Sequence, residues 1–278
     1  MRGLELYRKA GDNQGAAVMS RSMGVVFEHQ GRLGPAVGAL QDAVKAFRDL
    51  GDRSNTIADS LSELADALAK AGRGSESAKL LEEAQGLAQG LKNDALLAAI
   101  ANSQGDVSFY RGDLKSAKNS YEQAQRLASH SADKDVLLAS KLNLARMAVA
   151  DGRSRAAVGD LKSLAQQADA RGRKYISVAS SVLLAEALIK NKDYSAARQE
   201  LQRGQGRSEK LGLRLETARV HYLLGTTLRL SGSASEAPLQ YREAARMLDE
   251  ISKEQGAEHL LDRFDLKTIY AESTQFAK

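Results

Sequence analysis

Residues 144–164 read LARMAVADGRSRAAVGDLKSL, and residues 104–124 read QGDVSFYRGDLKSAKNSYEQA. Both segments run from a small residue (Ala145, Gly105) to a Gly-Arg or Gly-Asp pair (Gly152-Arg153, Gly112-Asp113). An alanine follows (Ala157, Ala117), with a large side chain four residues further on (Leu161, Tyr121). The alanine belongs to a column that runs along the chain as Ala36, Ser77, Ala117, Ala157, Ala197 and Ala237, at spacings of 41, 40, 40, 40 and 40 residues. Four residues on stand Leu40, Leu81, Tyr121, Leu161, Leu201 and Tyr241, and seven on stand Ala43, Ala84, Ala124, Leu164, Gly204 and Ala244. Offsets of 0, 4 and 7 trace one face of a helix, which is the second helix of each unit.

The first helix lies upstream. Twelve residues before the column every position is Gly or Ala: Gly24, Ala65, Gly105, Ala145, Ala185 and Gly225. Met23, Leu64, Gln104, Leu144, Leu184 and Leu224 directly precede them. A strictly small position beside a large one predicts two helices that cross closely. Between the helices, Gly31, Gly72, Gly112, Gly152, Lys192 and Gly232 occupy one position. Glycine there ends a helix, because it enters the left-handed conformation without steric cost. Pro35 and Pro238 fall in or next to the first turn of a second helix, where a missing N–H matters little. Such a hairpin cannot bury its apolar face alone, so six of them stack into one continuous core.

Composition agrees. Hydrophobic residues make up 43% of the 278, and they are mostly Ala and Leu, with five Phe, no Trp and two Pro. These are helix formers, not the aromatic and β-branched residues of sheets. Cysteine is absent, which removes disulfides, thiolate metal sites and Cys nucleophiles and fits a cytoplasmic protein. No stretch is long enough to span a bilayer. Forty basic and 35 acidic residues give a net charge of +5, with the basic residues scattered singly instead of forming a stripe.

The pattern resembles the tetratricopeptide repeat, in the long 40-residue form found in bacterial regulators and signalling proteins and in kinesin light chains. The resemblance covers about residues 13 to 256. It implies an all-α, right-handed α-α superhelix of six hairpins (13–256), preceded by the end of an incomplete repeat (1–12) and followed by a C-terminal capping helix and tail (257–278). Tyr7 to Asp12 matches Phe47 to Asp52 one unit later, so the expectation is that the chain is the C-terminal part of a longer signalling or transcriptional regulator, the alternative being an N-terminal helix that caps the array by itself. Leu260, Leu261, Phe264, Leu266, Ile269 and Tyr270 form the amphipathic stripe expected to shield the sixth unit. Two family features are missing. The Trp position holds Ser20, Leu61, Ala101, Lys141, Ser181 and His221, and no proline ends the repeats.

In this family the first helices line the concave surface, where ligands lie. Transferred by column, the peptide-binding positions are Arg21, Asp59, Asp66, Asn102, Asp106, Phe109, Tyr110, Arg146, Glu186, Tyr222 and Arg229, with Glu28, Lys70, Lys190 and Arg219 beside them. Acidic residues lead in units two and three and basic ones in unit six, a polarity that orients an extended peptide. Asn102, Phe109 and Tyr110 stand at the centre as expected anchors. The clamp with which chaperone-binding members grip a terminal carboxylate needs a basic residue four before an Asn. Arg21-Val25, Asn102-Asp106 and the four equivalent pairs do not supply it.

The sequence offers no chemistry to set against binding. His29, His130, His221 and His259 take unrelated places in the repeat, and no two have ligand spacing; His221 sits where the family packs an aromatic ring, a core position. Gly204-Gln205-Gly206 lacks the third glycine and the preceding strand of a phosphate loop. The expectation is a non-catalytic scaffold or regulatory module without cofactor or metal, binding a protein or peptide. A nucleic-acid-binding solenoid is the alternative suggested by the isoelectric point of about 9.3, and an enzyme with an unrecognised site comes after it.

Overall fold

The computed structural model describes residues 2–130 and 134–278, and every regular element among them is helical. A single helix, α1 (Arg2–Lys9), precedes six hairpins. These are α2 (Asn13–His29) with α3 (Leu33–Asp49), α4 (Asn55–Lys70) with α5 (Gly74–Gly90), and α6 (Asp94–Tyr110) with α7 (Leu114–His130). They continue with α8 (Lys134–Ala150) and α9 (Ser154–Ala170), α10 (Lys174–Lys190) and α11 (Tyr194–Leu211), and α12 (Arg214–Leu230) and α13 (Ala237–Ser252). A 3-10 turn, Ala234–Glu236, leads into α13, and a second one, Leu260–Asp262, leads into the last helix, α14 (Phe264–Phe276). The fold is an α solenoid of the tetratricopeptide type.

Each hairpin is fixed by the columns of the repeat. The alanine or serine of the second helix and the large residue four positions on are buried in all six units. Each buried Leu or Tyr contributes about 1.5–3 kcal/mol of apolar transfer. The small position of the first helix is the point of closest approach. A Cβ on Gly24 would lie 2.5 Å from Leu40 Cγ, and one on Gly225 would lie 3.0 Å from the Tyr241 ring. On Gly105 it would overlap the Tyr121 ring. Both units that carry tyrosine in the large column therefore carry glycine opposite it, while Ala65, Ala145 and Ala185 face leucines. The hairpin turns are left-handed as expected, with φ from 69° at Gly31 to 90° at Gly232. Lys192 is held at φ 64° in the same place, a conformation that costs a residue with a Cβ about 1–2 kcal/mol.

The first helices stand on the inside of the curve. Successive first helices pack on each other and exchange side-chain contacts: Arg21 donates to Glu63 at 2.7 Å, Lys70 pairs with Glu28, and Asn143 donates to Asn102 at 3.1 Å. Second helices of neighbouring units are bridged by long arginines, Arg48 to Glu83 and Arg207 to Asp169, both at 2.5 Å.

This curvature brings the ends together. The Arg214 N–H, at the start of α12, donates to the Gln30 carbonyl at the first hairpin turn at 3.3 Å, and His29 stacks on Tyr175 of α10 at 5.2 Å. The segment after α13 then crosses the gap. Ala257, Leu260 and Leu266 are fully buried in one cluster with Leu33 and Ala71 of the first two hairpins and Ala218, Leu248 and Ile251 of the last. Beyond it α14 runs back along the concave face, its Tyr270 hydroxyl donating to Asp249 of α13 at 2.8 Å. The segment expected to cap the sixth unit therefore also clasps the first two.

Three substitutions test the hairpin geometry. Gly105→Ala should cost about 1–3 kcal/mol by overpacking against Tyr121. Combined with Tyr121→Leu, which recreates the Ala65–Leu81 pairing, the loss should fall short of the summed single losses by about 1 kcal/mol in urea unfolding. Lys192→Gly should stabilise by about 0.5–1 kcal/mol, the relief of left-handed strain exceeding the added unfolded-state entropy.

Candidate functional site: the concave face

The concave face is divided into three parts. At its N-terminal part Arg21 lies between Glu63, at 2.7 Å, and Asp59, at 3.6 Å. Asp66 follows on α4. Its Oδ1 has no hydrogen-bond partner, and burial, with Asp106 and Glu63 nearby, pushes its carboxyl up to about 8.

The centre is closed. Arg263, 4% exposed, lays its guanidinium 3.7 Å over the Tyr110 ring and donates to the Lys70 carbonyl at 2.8 Å. Asp265 accepts from Arg263 at 2.8 Å and pairs with Arg219 of α12. Burial pushes the Tyr110 phenol up to about 12 and pulls the Lys70 ammonium down to about 8. The space left among Glu28, Lys70, Tyr175, Arg219 and Arg263 is about 20 Å³, room for about one water molecule. Phe109 is buried, with Arg146 5.1 Å over one face and Phe264 edge-on at 6.2 Å. Asp106 accepts from the Tyr121 hydroxyl at 2.7 Å and faces Arg146 at 3.6 Å. Of the three expected anchors, Tyr110 lies beneath the chain's own Arg263, Phe109 is mostly buried, and Asn102 is bonded to Asn143. None stands open at the middle of the groove.

The third part is open. Between α8, α10 and α12 on one side and α14 on the other runs a channel of about 580 Å³, within the usual range for ligand sites. Its floor is apolar: Leu142, Ala150, Ala179, Val182, Leu183 and Leu223. Phe264, Ile269 and Glu272 form the wall given by α14, and Arg146, Glu186, Lys190 and Arg229 are charged groups around it. Lys190 pairs with Glu186 at 3.3 Å and donates to the Val149 carbonyl at 3.1 Å. Tyr222 donates to Glu272 at 2.8 Å, and burial, with that bond, raises its phenol well above the ordinary value. Arg229 donates to the Tyr241 hydroxyl at 3.2 Å and lies 4.4 Å over Phe276.

The channel thus gathers Phe109, Arg146, Glu186, Tyr222 and Arg229 from the expected set. It does not include Arg21, Asp59, Asp66, Asn102, Asp106 or Tyr110. The floor was missed. Its signal lies in residues 177–189, SVASSVLLAEALI, where α10 is apolar nearly all round and so must face something on both sides. His221 is buried as expected, its ring nitrogen 2.8 Å from the Gln240 amide oxygen. Among the described residues no cluster of acidic and histidine side chains could hold a metal, and no helix is long and apolar enough to cross a membrane.

No family model and no curated protein matches this sequence. Solved structures share the fold. The Rap protein complexed with competence and sporulation factor superposes with a TM-score of 0.66 at 15% identity, over 94% of this chain and 72% of its own. BtubC from P. vanneervenii gives 0.58 at 18%, over 80% and 92%. A STAND signal-transduction ATPase with a tetratricopeptide repeat sensor, from Pyrococcus horikoshii, gives 0.60 at 12%; this chain is covered over 98% and spans 43% of that protein.

The raised Asp66 carboxyl has a consequence for stability. Its folded pKa lies above the unfolded value, so its contribution is complete at low pH and is lost as pH rises from about 4 towards 8. Urea midpoints of the wild type should drop between pH 5 and pH 8, and Asp66→Asn should shrink that drop.

Proposed function

We propose that the chain is a non-catalytic protein-interaction module, and that the channel walled by α8, α10, α12 and α14 takes a peptide segment of a partner protein. The observation that carries this reading is the channel itself: an open apolar floor ringed by charges, inside a superhelix whose centre is filled. An apolar side chain of the bound segment lies on Val182 and Leu183. Its polar and charged groups meet Arg146, Lys190 and Glu186, which fix direction more than they add affinity. Two similar structures are consistent with this use, the Rap protein in complex with a factor and the repeat sensor of the STAND ATPase. A regulatory setting, with the module attached to or serving a signalling protein, extends the same reading.

Ala150 is an exposed residue at the end of α8 that borders the channel, so Ala150→Arg fills the space without disturbing the core. Peptides selected from a displayed random library on the wild-type protein should lose at least about ten-fold in affinity, about 1.4 kcal/mol, on the Ala150→Arg variant. Equal affinities for the two proteins, or a selection that yields no binder, would remove the channel as the site.

A further inference from the structure

Three consecutive side chains of one segment meet the first helices, each on a different group, with Arg263 buried, Asp265 half-buried and Phe264 48% exposed at the rim. Arg263 lies on the Tyr110 ring and the Lys70 carbonyl, Phe264 meets the edge of Phe109, and Asp265 meets Arg219. That is how a bound peptide is read, side chain by side chain, along first helices. The cation sits among the groups of units two and three, and the anion sits on the arginine of unit six. A helix-free stretch, Lys253 to His259, tethers this segment to α13, and Lys253, Gln255, Glu258 and His259 are exposed along it.

We propose that Arg263-Phe264-Asp265 is a resident ligand, and that the subsite beneath it takes a basic–aromatic–acidic tripeptide from a partner protein in exchange. This rests on the reading of the concave face as a peptide-binding surface. The chemistry favours exchange. A buried ion pair adds little net stability when formed, yet each partner left alone is strongly disfavoured. Arg263 and Asp265 leave as a pair, and vacating the subsite strips Arg219 of its carboxylate and uncovers the Tyr110 ring, so departure is favoured where another anion and cation take their places. The apolar hold is one local cluster, Ala257, Leu260 and Leu266 with Leu261, Ile269 and Tyr270 partly buried against them, so the segment can open as a unit while the hairpins stay folded.

The contacts that seat the tether offer a test from outside the subsite. Gly34, in the first turn of α3, has an ordinary helical backbone, and a Cβ there would overlap the Gln255 carbonyl oxygen. Gly34→Ala therefore loosens the segment without straining its own helix, and Leu260→Ala loosens it by removing an apolar contact. The probe is a fluorescent synthetic peptide spanning residues 257–267, added to full-length protein and followed by anisotropy. Both variants should bind it at least ten-fold more tightly than wild type, and the gain should vanish for a peptide carrying Arg263→Ala and Asp265→Ala. No gain on either variant would overturn the proposal. So would loss of the array's helical circular dichroism in both, since that makes the segment part of the scaffold. The channel is judged separately, by library peptides on the Ala150→Arg variant, so failure of one reading is distinguishable from failure of the other.

Discussion

The structure depends on one steric constraint: where the first helix of a unit crosses the second, there is no room for a branched or long side chain. Gly or Ala at that point lets Leu or Tyr of the partner helix reach the opposing backbone, and the hairpin closes at that spacing. Where the large residue is tyrosine, only the hydrogen of glycine fits beneath it. Six repetitions of one crossing carry the same geometry along the chain, and first helices accumulate on the inner side. Curvature is thus a sum of small, equal decisions made at Gly24, Ala65, Gly105, Ala145, Ala185 and Gly225.

Curvature in turn decides what the concave face can hold. After five units the first hairpin turn meets the start of α12, and the interior becomes narrow and dry enough that its charges must answer one another. Glu28 with Lys70, Asp106 with Arg146, and Asp265 with both Arg219 and Arg263 do so. A buried pair of this kind contributes little net stability, because desolvation offsets the Coulomb gain, whereas removing one member is costly. The charges therefore act on register: they allow one seating of α14 and penalise others. The apolar channel survives only where α14 leaves the floor of α8 and α10 uncovered.

The repeat, its hairpins and its left-handed turns were all legible in the sequence, because each follows from residues a fixed distance apart; the inner face was expected only from the family resemblance. Columns of Gly31, Ala36 and Leu40 and their equivalents need no knowledge of the rest of the chain. The channel floor and the closed centre were not legible in the same way. They arise where the last segment returns to residues about 190 positions away, as Arg263 does to Lys70, and nothing in the local pattern of Leu260 to Tyr270 distinguishes a cap over one unit from a clasp across three. The stripe is legible as amphipathic, but its two destinations are not: Leu260, Leu261 and Leu266 go to the closing core, Phe264 goes to the channel, and Ile269 borders both.

Closure of the ends changes what kind of object the array is. An open solenoid is a line of coupled units whose terminal members have one neighbour each and fray first. With the contact between Gln30 and Arg214 made, and with Leu260 buried among the first, second and sixth hairpins, the line becomes a loop. Its first and last units acquire second neighbours, so no unit remains a natural starting point for unravelling. The spring-like extension open to a linear superhelix is also restrained, since lengthening it means parting the clasp. The channel therefore sits in a frame of nearly fixed circumference, and any change in its α14 wall must come from the tether between α13 and α14.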